Sequence, residues 1–412
     1  MKKLLLLSIF ASFLMTGCNS SDVAPAEKLS VSGEVSGTWK KGSIITVNSD
    51  LIIPVGKSLT IEEGVSIVMD TTSKPEFIVQ GNLYALGTSA NPIKFSVPET
   101  AKLAKYKFGQ LWGGILAAKT CTEMVLDNVI LEYGGAVTTE ASTSVKLGLY
   151  KAASGEFDPA LWFSNTAGKL VVRNSTIRNW RDDATYIEGG SVIFANNVLH
   201  TTGLSGGEGF NIKSGVVADI AFNLVYSTNT NALKLSSTGG RTPQAIVVAY
   251  NNTIVNTGWR RPTIKGGSIW VEQSVRAKLY NNLMANCRFG IKRDTKLPED
   301  TASRVSNNYY YGYTQTAVDQ FQNSKEILSG TKEIKGTKAD ENDPLFVNYL
   351  KSTDYLTADL LATWDFHLSA NSPALGKGLT TFTRNFKDGI VINGVTYKSP
   401  DPATYVGAYG TK

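Results

Sequence analysis

The stretch Tyr250 to Asn256 reads YNNTIVN, and its three asparagines admit three readings: a glycosylation acceptor at the Asn-x-Thr triplet, a surface loop, or one tooth of a repeat. The rest of the chain decides between them. VLDNVILEYGG (125–135), VVRNSTIRNW (171–180), VIFANNVLHTTG (192–203), DIAFNLVYSTN (219–229), VVAYNNTIVNTG (247–258), AKLYNNLMANC (277–287) and RVSNNYYYG (304–312) share one pattern, a short strand-like run, an Asn-bearing corner and a second run. The triplet recurs as NST at 174–176 but becomes NNV and NNL elsewhere, so the shared feature is a turn and not a sequon. With Asn128, Ser175, Asn197, Asn223, Asn252, Asn282 and Asn308 as register marks, the spacings are 47, 22, 26, 29, 30 and 26 residues. Short strand-like units with insertions at constant places predict stacked β coils.

Alternation then assigns faces. Val172, Phe194, Ile220, Ala249 and Leu279 before the corner, and Ile177, Leu199, Val225, Ile254 and Met284 after it, point inward. The Asn column suits a left-handed corner and coil-to-coil amide hydrogen bonds. A third run per unit reads ALWFS (160–164), ATYIE (184–188), GFNIK (209–213), ALKLS (232–236), SIWVE (268–272) and RFGIK (288–292). Its outward columns hold Trp162, Tyr186, Asn211, Lys234, Trp270 and Gly290, and beside them Ser164, Glu188, Lys213, Ser236, Glu272 and Lys292. At about 4.8 Å per coil these rows make a face roughly 25 Å long, enough for an extended polymer.

The bulk numbers agree. Of 412 residues, 42% are hydrophobic and only 18% charged, with 38 glycines, which favours a large β core over disorder or helices. The opening MKKLLLLSIFASFLMTGC has two lysines, an apolar run too short to span a bilayer, and Thr-Gly-Cys, the layout of a secretory signal. Its end resembles a bacterial lipoprotein lipobox, with Met15 in place of the usual Leu, which makes residues 1–17 a signal peptide and Cys18 a lipidated first residue. Losing Lys2 and Lys3 lowers the formal charge from +6 to +4. That small excess, with no basic tract, argues against nucleic acid. Cys121 and Cys287 form no CxxC or Cys/His cluster and read as buried thiols.

The organisation resembles the right-handed parallel β-helix proteins, the fold of pectate lyases and related polysaccharide lyases, some glycoside hydrolases and many bacterial surface proteins. VQGNLYALGTSANPIKFSV (79–97) with WGGI (112–115) looks like the opening coils of secreted β-helix lipoproteins of Bacteroidetes. NDPLFVN (342–348), DFHLSANSPALGKG (365–378) and VGAYG (406–410) look like the closing segment of such domains. The fold expected is therefore all-β: a tether over 18–37, a single right-handed parallel β-helix over 38–312, and closing coils and a cap over 313–412.

A lyase on a uronic acid polymer uses Ca²⁺ held by acids and a Lys or Arg base. Lys213 and Lys234 are the catalytic candidates, with Arg173, Arg178 or Arg181 near, and Asp182 and Asp183 are the calcium candidates. No lyase family's catalytic motif is present to carry roles over. Hydrolysis needs two carboxylates on one sugar; Glu188 and Glu272 lie three coils apart, and Asp182 with Glu208 is a looser pair. His200 and His367 are isolated. Trp162, Tyr186 and Trp270 share a column whose rings suit sugar faces, with Glu188, Asn211, Lys213, Lys234 and Glu272 as polar neighbours. The expectation is a monomeric outer-membrane lipoprotein, anchored to the membrane by its lipid, that binds a polysaccharide or another envelope partner without catalysis or cofactor. A polysaccharide lyase or hydrolase on the same face, with Ca²⁺ if a lyase, is the alternative, and an adhesin stalk the third.

Overall fold

A computed structural model describes residues 27–412. The expected signal segment 1–17, Cys18 and the tether residues up to 26 lie outside the described residues. Every strand pairing in the coils is parallel, and the chain forms an all-β parallel β-helix of three ribbons. One ribbon is a 10-stranded sheet running from Gly37–Trp39 through Lys169–Arg173 and Ile246–Tyr250 to Arg304–Ser306. The other two merge into a 20-stranded sheet because the long strand Ile44–Ile53 pairs with Ser66–Met69 through its first half and with Phe77–Val79 through its second. The strand Lys28–Glu34 pairs parallel to Ile44–Ile53, so the first coil starts inside the span read as tether.

The inward assignments hold: Phe194, Ile220, Ala249, Leu279, Leu199, Val225, Ile254 and Met284 are fully buried in one continuous core. In the last row the register differs from the alignment. Trp270 pairs with Lys292 and Ile269 with Ile291, so the column ends in Lys292, not Gly290, and Phe289 is only half-buried.

The asparagine corner divides its work between neighbouring positions. The first position carries the left-handed backbone: Asn128, Asn174, Asn196, Asn251, Asn281 and Asn307 have φ of 49–57°, a region that Asn tolerates better than most residues. The second position is the amide ladder. Asn252 Nδ2 donates to Asn282 Oδ1 (2.8 Å) and to Ile220 O (2.9 Å), and Asn252 Oδ1 accepts from Asn223 N and Nδ2 (3.0 and 2.9 Å). The ladder runs unbroken from Ser175 through Asn197, Asn223, Asn252 and Asn282 to Asn308. Asn128 therefore belongs to the left-handed column, and its ladder neighbour is Val129, whose N–H donates to Ser175 Oγ. A second left-handed column follows the next strand at Asn179, Thr201, Ser227, Asn256 and Asn286. All three asparagines of YNNTIVN thus serve corners, and Asn251, the sequon's acceptor, has no exposed surface.

Residues 313–412 do more than close the end. Phe321 and Leu328 pack on the last coil, but the later segment returns along the outside of the solenoid. Ile390, Ile392 and Tyr397 cover Tyr84, Val125, Val171 and Ile193, while Phe366, Leu368 and Val406 cover Tyr226, Val255, Leu283 and Tyr309. Strands covered on both faces lose the need for alternation, which is why LMA and YYY are apolar or aromatic throughout and TIV is fully buried, its Thr253 hydroxyl accepting from Ala408 N of the strap at 2.8 Å. The expected cap is better described as a strap.

Asp219, fully buried, fastens that strap by accepting from Asn385 N (3.1 Å), Phe386 N (2.8 Å) and Ser399 Oγ (2.5 Å). Asp219→Ala strands those donors, and we expect a loss of about 3 kcal/mol. Limited proteolysis should then cut within 380–403 earlier than in the wild type; equal resistance would show that the strap does not depend on this anchor.

His200 lies under the same return segment. Thr201 spends its hydroxyl proton on Ala358 O (2.8 Å), so its oxygen accepts from His200 Nδ1–H (2.9 Å), which fixes the neutral tautomer. Burial, reinforced by the Arg178 charge, lowers the imidazole pKa to about 4. A base whose folded pKa lies below its unfolded value of roughly 6.5 binds more protons when unfolded. Its contribution is intact above pH 6.5 and is lost as pH falls toward 4, by at most about 3 kcal/mol. His200→Gln should flatten that limb, so the stability difference between wild type and variant should shift in the variant's favour from pH 7 to pH 4.5. A pH-independent difference in urea unfolding would contradict this.

Candidate functional site

The face predicted for function is the ribbon Leu161–Phe163, Thr185–Ile187, Phe210–Ile212, Leu233–Ser236, Ile269–Glu272 and Ile291–Arg293, in register as expected up to its last row. It is not open along its length. The segment 133–159, which makes the first repeat interval long, folds back over the early rows. Its Ser144 donates through N and Oγ to Glu76 (2.7 and 2.6 Å), and Thr143 Oγ1 donates to Asp50 (2.5 Å). The Tyr150 ring then sits edge-on to Tyr186 (5.2 Å) and Trp162 (6.4 Å). Trp162 is left 3% exposed, its Nε1 donating to Glu188 Oε2 at 2.8 Å, and Glu188 is also paired with Arg241 from the 237–245 insertion.

Beyond this cover the face opens into a cleft of about 430 Å³, lined by Glu208, Thr230, Asn231, Lys234, Arg261, Lys265, Gly266, Trp270, Glu272 and Asp294. Register neighbours Lys234 and Trp270 form its floor, and the insertion 257–267 supplies Arg261 and Lys265. Lys234 Nζ stands between two carboxylates without closing on either, 3.9 Å from Glu208 and 4.0 Å from Glu272. The two acids therefore lie within about 8 Å of each other, both facing one ammonium.

Behind Glu208 lies a buried acid group. Asp183 Oδ1 accepts from Glu208 N (2.7 Å) and Oδ2 from Asn211 Nδ2 (2.8 Å). Burial, then the charges of Glu208 and Asp182, push Asp183, whose side chain hydrogen-bonds Glu208, well above the usual carboxylate range. Burial would raise Glu208 too, but that hydrogen bond and the charges of Lys234 and Lys213 outweigh it and hold Glu208 ionised. Asp182 is raised by burial and then by Glu208 to about 6. Burial, then the neighbouring Lys234, lowers Lys213, which has no ion pair among the described residues and rests its Nζ 5.1 Å from the Tyr186 ring centre.

Of the candidate residues, Glu208, Lys234, Trp270 and Glu272 meet in the cleft. Trp162 and Asn211 are buried, at 3% exposure each, and cannot stack on or bond a ligand there. Tyr186 is half-covered by Tyr150, Glu188 is turned to Trp162 and Arg241, and Lys213 is 7% exposed. Asp182 and Asp183 do not form a calcium set: both Asp183 oxygens are engaged by Glu208 N and Asn211 Nδ2, and among the described residues no group of three or more His, Cys, Asp or Glu is placed to hold a metal ion. Arg173 and Arg178 pair with Asp127 and Glu132 on the other ribbons, and Arg181 covers the Phe157 ring at 4.3 Å, so none joins the cleft. Sequence reasoning missed Thr230, Asn231, Arg261, Lys265 and Asp294. For Arg261 and Lys265 the signal was the insertion GWRRPTIKG between two coils, since loops at a constant corner flank one face; Thr230, Asn231 and Asp294 carried none.

No protein-family profile matches the chain, and no curated protein is significantly similar to it.

Proposed function

We propose that the chain is an envelope lipoprotein whose cleft around Lys234 and Trp270 binds a polysaccharide without transforming it. The observation that carries this reading is the make-up of the cleft. An indole face, three carboxylates and three cations converge on about 430 Å³, a size suited to a few sugar units. Carboxylates accept from sugar hydroxyls, ammonium and guanidinium groups donate to them, and the Trp270 ring packs on C–H faces. Arg261 and Lys265 have no ion pair among the described residues, which favours glycans that carry acidic groups.

The envelope placement is supported by the signal-like opening and Cys18. Nine residues, 19–27, lie between Cys18 and the first strand at Lys28, a reach of at most about 35 Å. Cys18→Ser should abolish incorporation of radiolabelled fatty acid; continued labelling would remove the anchor from the proposal.

A catalytic second reading is favoured by one observation. Glu208 and Glu272 both reach toward Lys234 and lie no more than about 8 Å apart, a limit that admits the carboxylate spacings of glycosidases, and Glu208 N donates to the buried Asp183 behind it. One screen separates the readings: incubation with acidic and neutral glycans, following thermal shift together with reducing ends and unsaturated-product absorbance. Shift without products supports binding, products replace it by catalysis, and no shift with any glycan leaves the stalk.

A further inference from the structure

We infer that the cleft takes the end of a glycan chain and not an internal stretch; this rests on the glycan-binding reading above. A polymer lying along the ribbon must cross successive rows about 4.8 Å apart, and an internal segment must leave the site on both sides. On the side of the early rows there is no exit. Tyr150 stands over Tyr186 at 5.2 Å, and Lys213 Nζ is applied to the Tyr186 ring at 5.1 Å. The next row outward carries Trp162, 3% exposed beneath the same cover. This wall stands two coils before Lys234, the row between them holding the buried Asn211 and Lys213, and the 133–159 cover that makes it is pinned by hydrogen bonds to Glu76 and Asp50. A chain running past Trp270 therefore stops against Lys213 and Tyr186, with its last units between Glu208 and Glu272. The volume of about 430 Å³ lies toward the small end of ligand sites and holds a short terminus, not a long run.

The test uses a glycan that raises the melting temperature of the wild-type protein. The polymer is partly depolymerised into fractions of decreasing mean length, and each is titrated calorimetrically at equal mass. End recognition predicts that sites per gram rise in inverse proportion to length, tenfold for a tenfold shorter chain, with affinity per site unchanged. Sites per gram that stay constant across lengths would overturn it and leave glycan binding standing. Absence of binding by every glycan at every length would instead remove the reading on which it rests.

Discussion

Asn252→Ala should cost about 4 kcal/mol, the largest loss expected from any single truncation of a polar side chain in the solenoid. Asn252 has no exposed surface and sits in the middle of the ladder, so every group it serves is buried as well. Truncation leaves Asn223 N and Nδ2 without their acceptor and withdraws the Nδ2 donor from Ile220 O and Asn282 Oδ1. Each buried group so stranded costs roughly 1–3 kcal/mol, and water cannot enter a continuous apolar core to replace the amide. Ser175→Ala, at the end of the ladder, breaks a shorter chain of bonds and should cost about half as much. Urea unfolding would register the pair as unequal drops in midpoint. A loss below about 1 kcal/mol for Asn252→Ala would mean that the strands hold the corner without the amides.

Trp270→Ala and Lys234→Met should each weaken binding of the identified glycan at least tenfold, about 1.4 kcal/mol or more. The first removes the only ring that faces the cleft, and stacking surfaces of this kind carry much of the affinity in sugar sites. The second removes the cation nearest to both Glu208 and Glu272, so the cleft's three acids face the ligand with only Arg261 and Lys265 to offset them. Trp270→Ala should alter the melting temperature little, because Trp270 is partly exposed, whereas Lys234→Met takes from the largely buried Glu208 one of its compensating charges and should lower it, so its affinity is measured well below its own melting range. Trp162→Phe supplies the contrast: it should cost stability through the lost bond to Glu188 and leave affinity as it was. Reduced binding in Trp162→Phe at undiminished stability would restore the longer face that the repeat pattern suggested.

The repeat pattern was legible because each corner imposes local demands that only a few residues meet. Asn at Asn251 and Asn281 answers a left-handed backbone, and Asn at Asn252 and Asn282 answers a ladder, so two physical needs left one doubled letter. That coincidence also misplaced Asn128, which has the first role and lacks the second. Inward positions such as Phe194 and Leu279 followed from alternation, and outward positions were right as directions. Exposure was a different matter. Trp162 points outward and is buried nonetheless, since its fate depends on Tyr150, brought back over it by a segment with no repeat signature. The strap was illegible for a related reason: TIV and YYY record that both faces are covered without naming Phe366 or Val406 as the cover. Asp183 and Glu208 come from different corners and meet only through coil stacking, which spacing alone does not reveal.

The most direct test of the glycan cleft is a crystal structure of the mature chain soaked with whichever glycan shifts its melting temperature. Sugar rings stacked on Trp270, with hydroxyls or acidic groups on Lys234, Arg261 or Lys265 and the chain ending at Lys213, are the predicted result. Ordered sugar elsewhere on the solenoid, with this cleft empty at saturating ligand, would contradict the assignment.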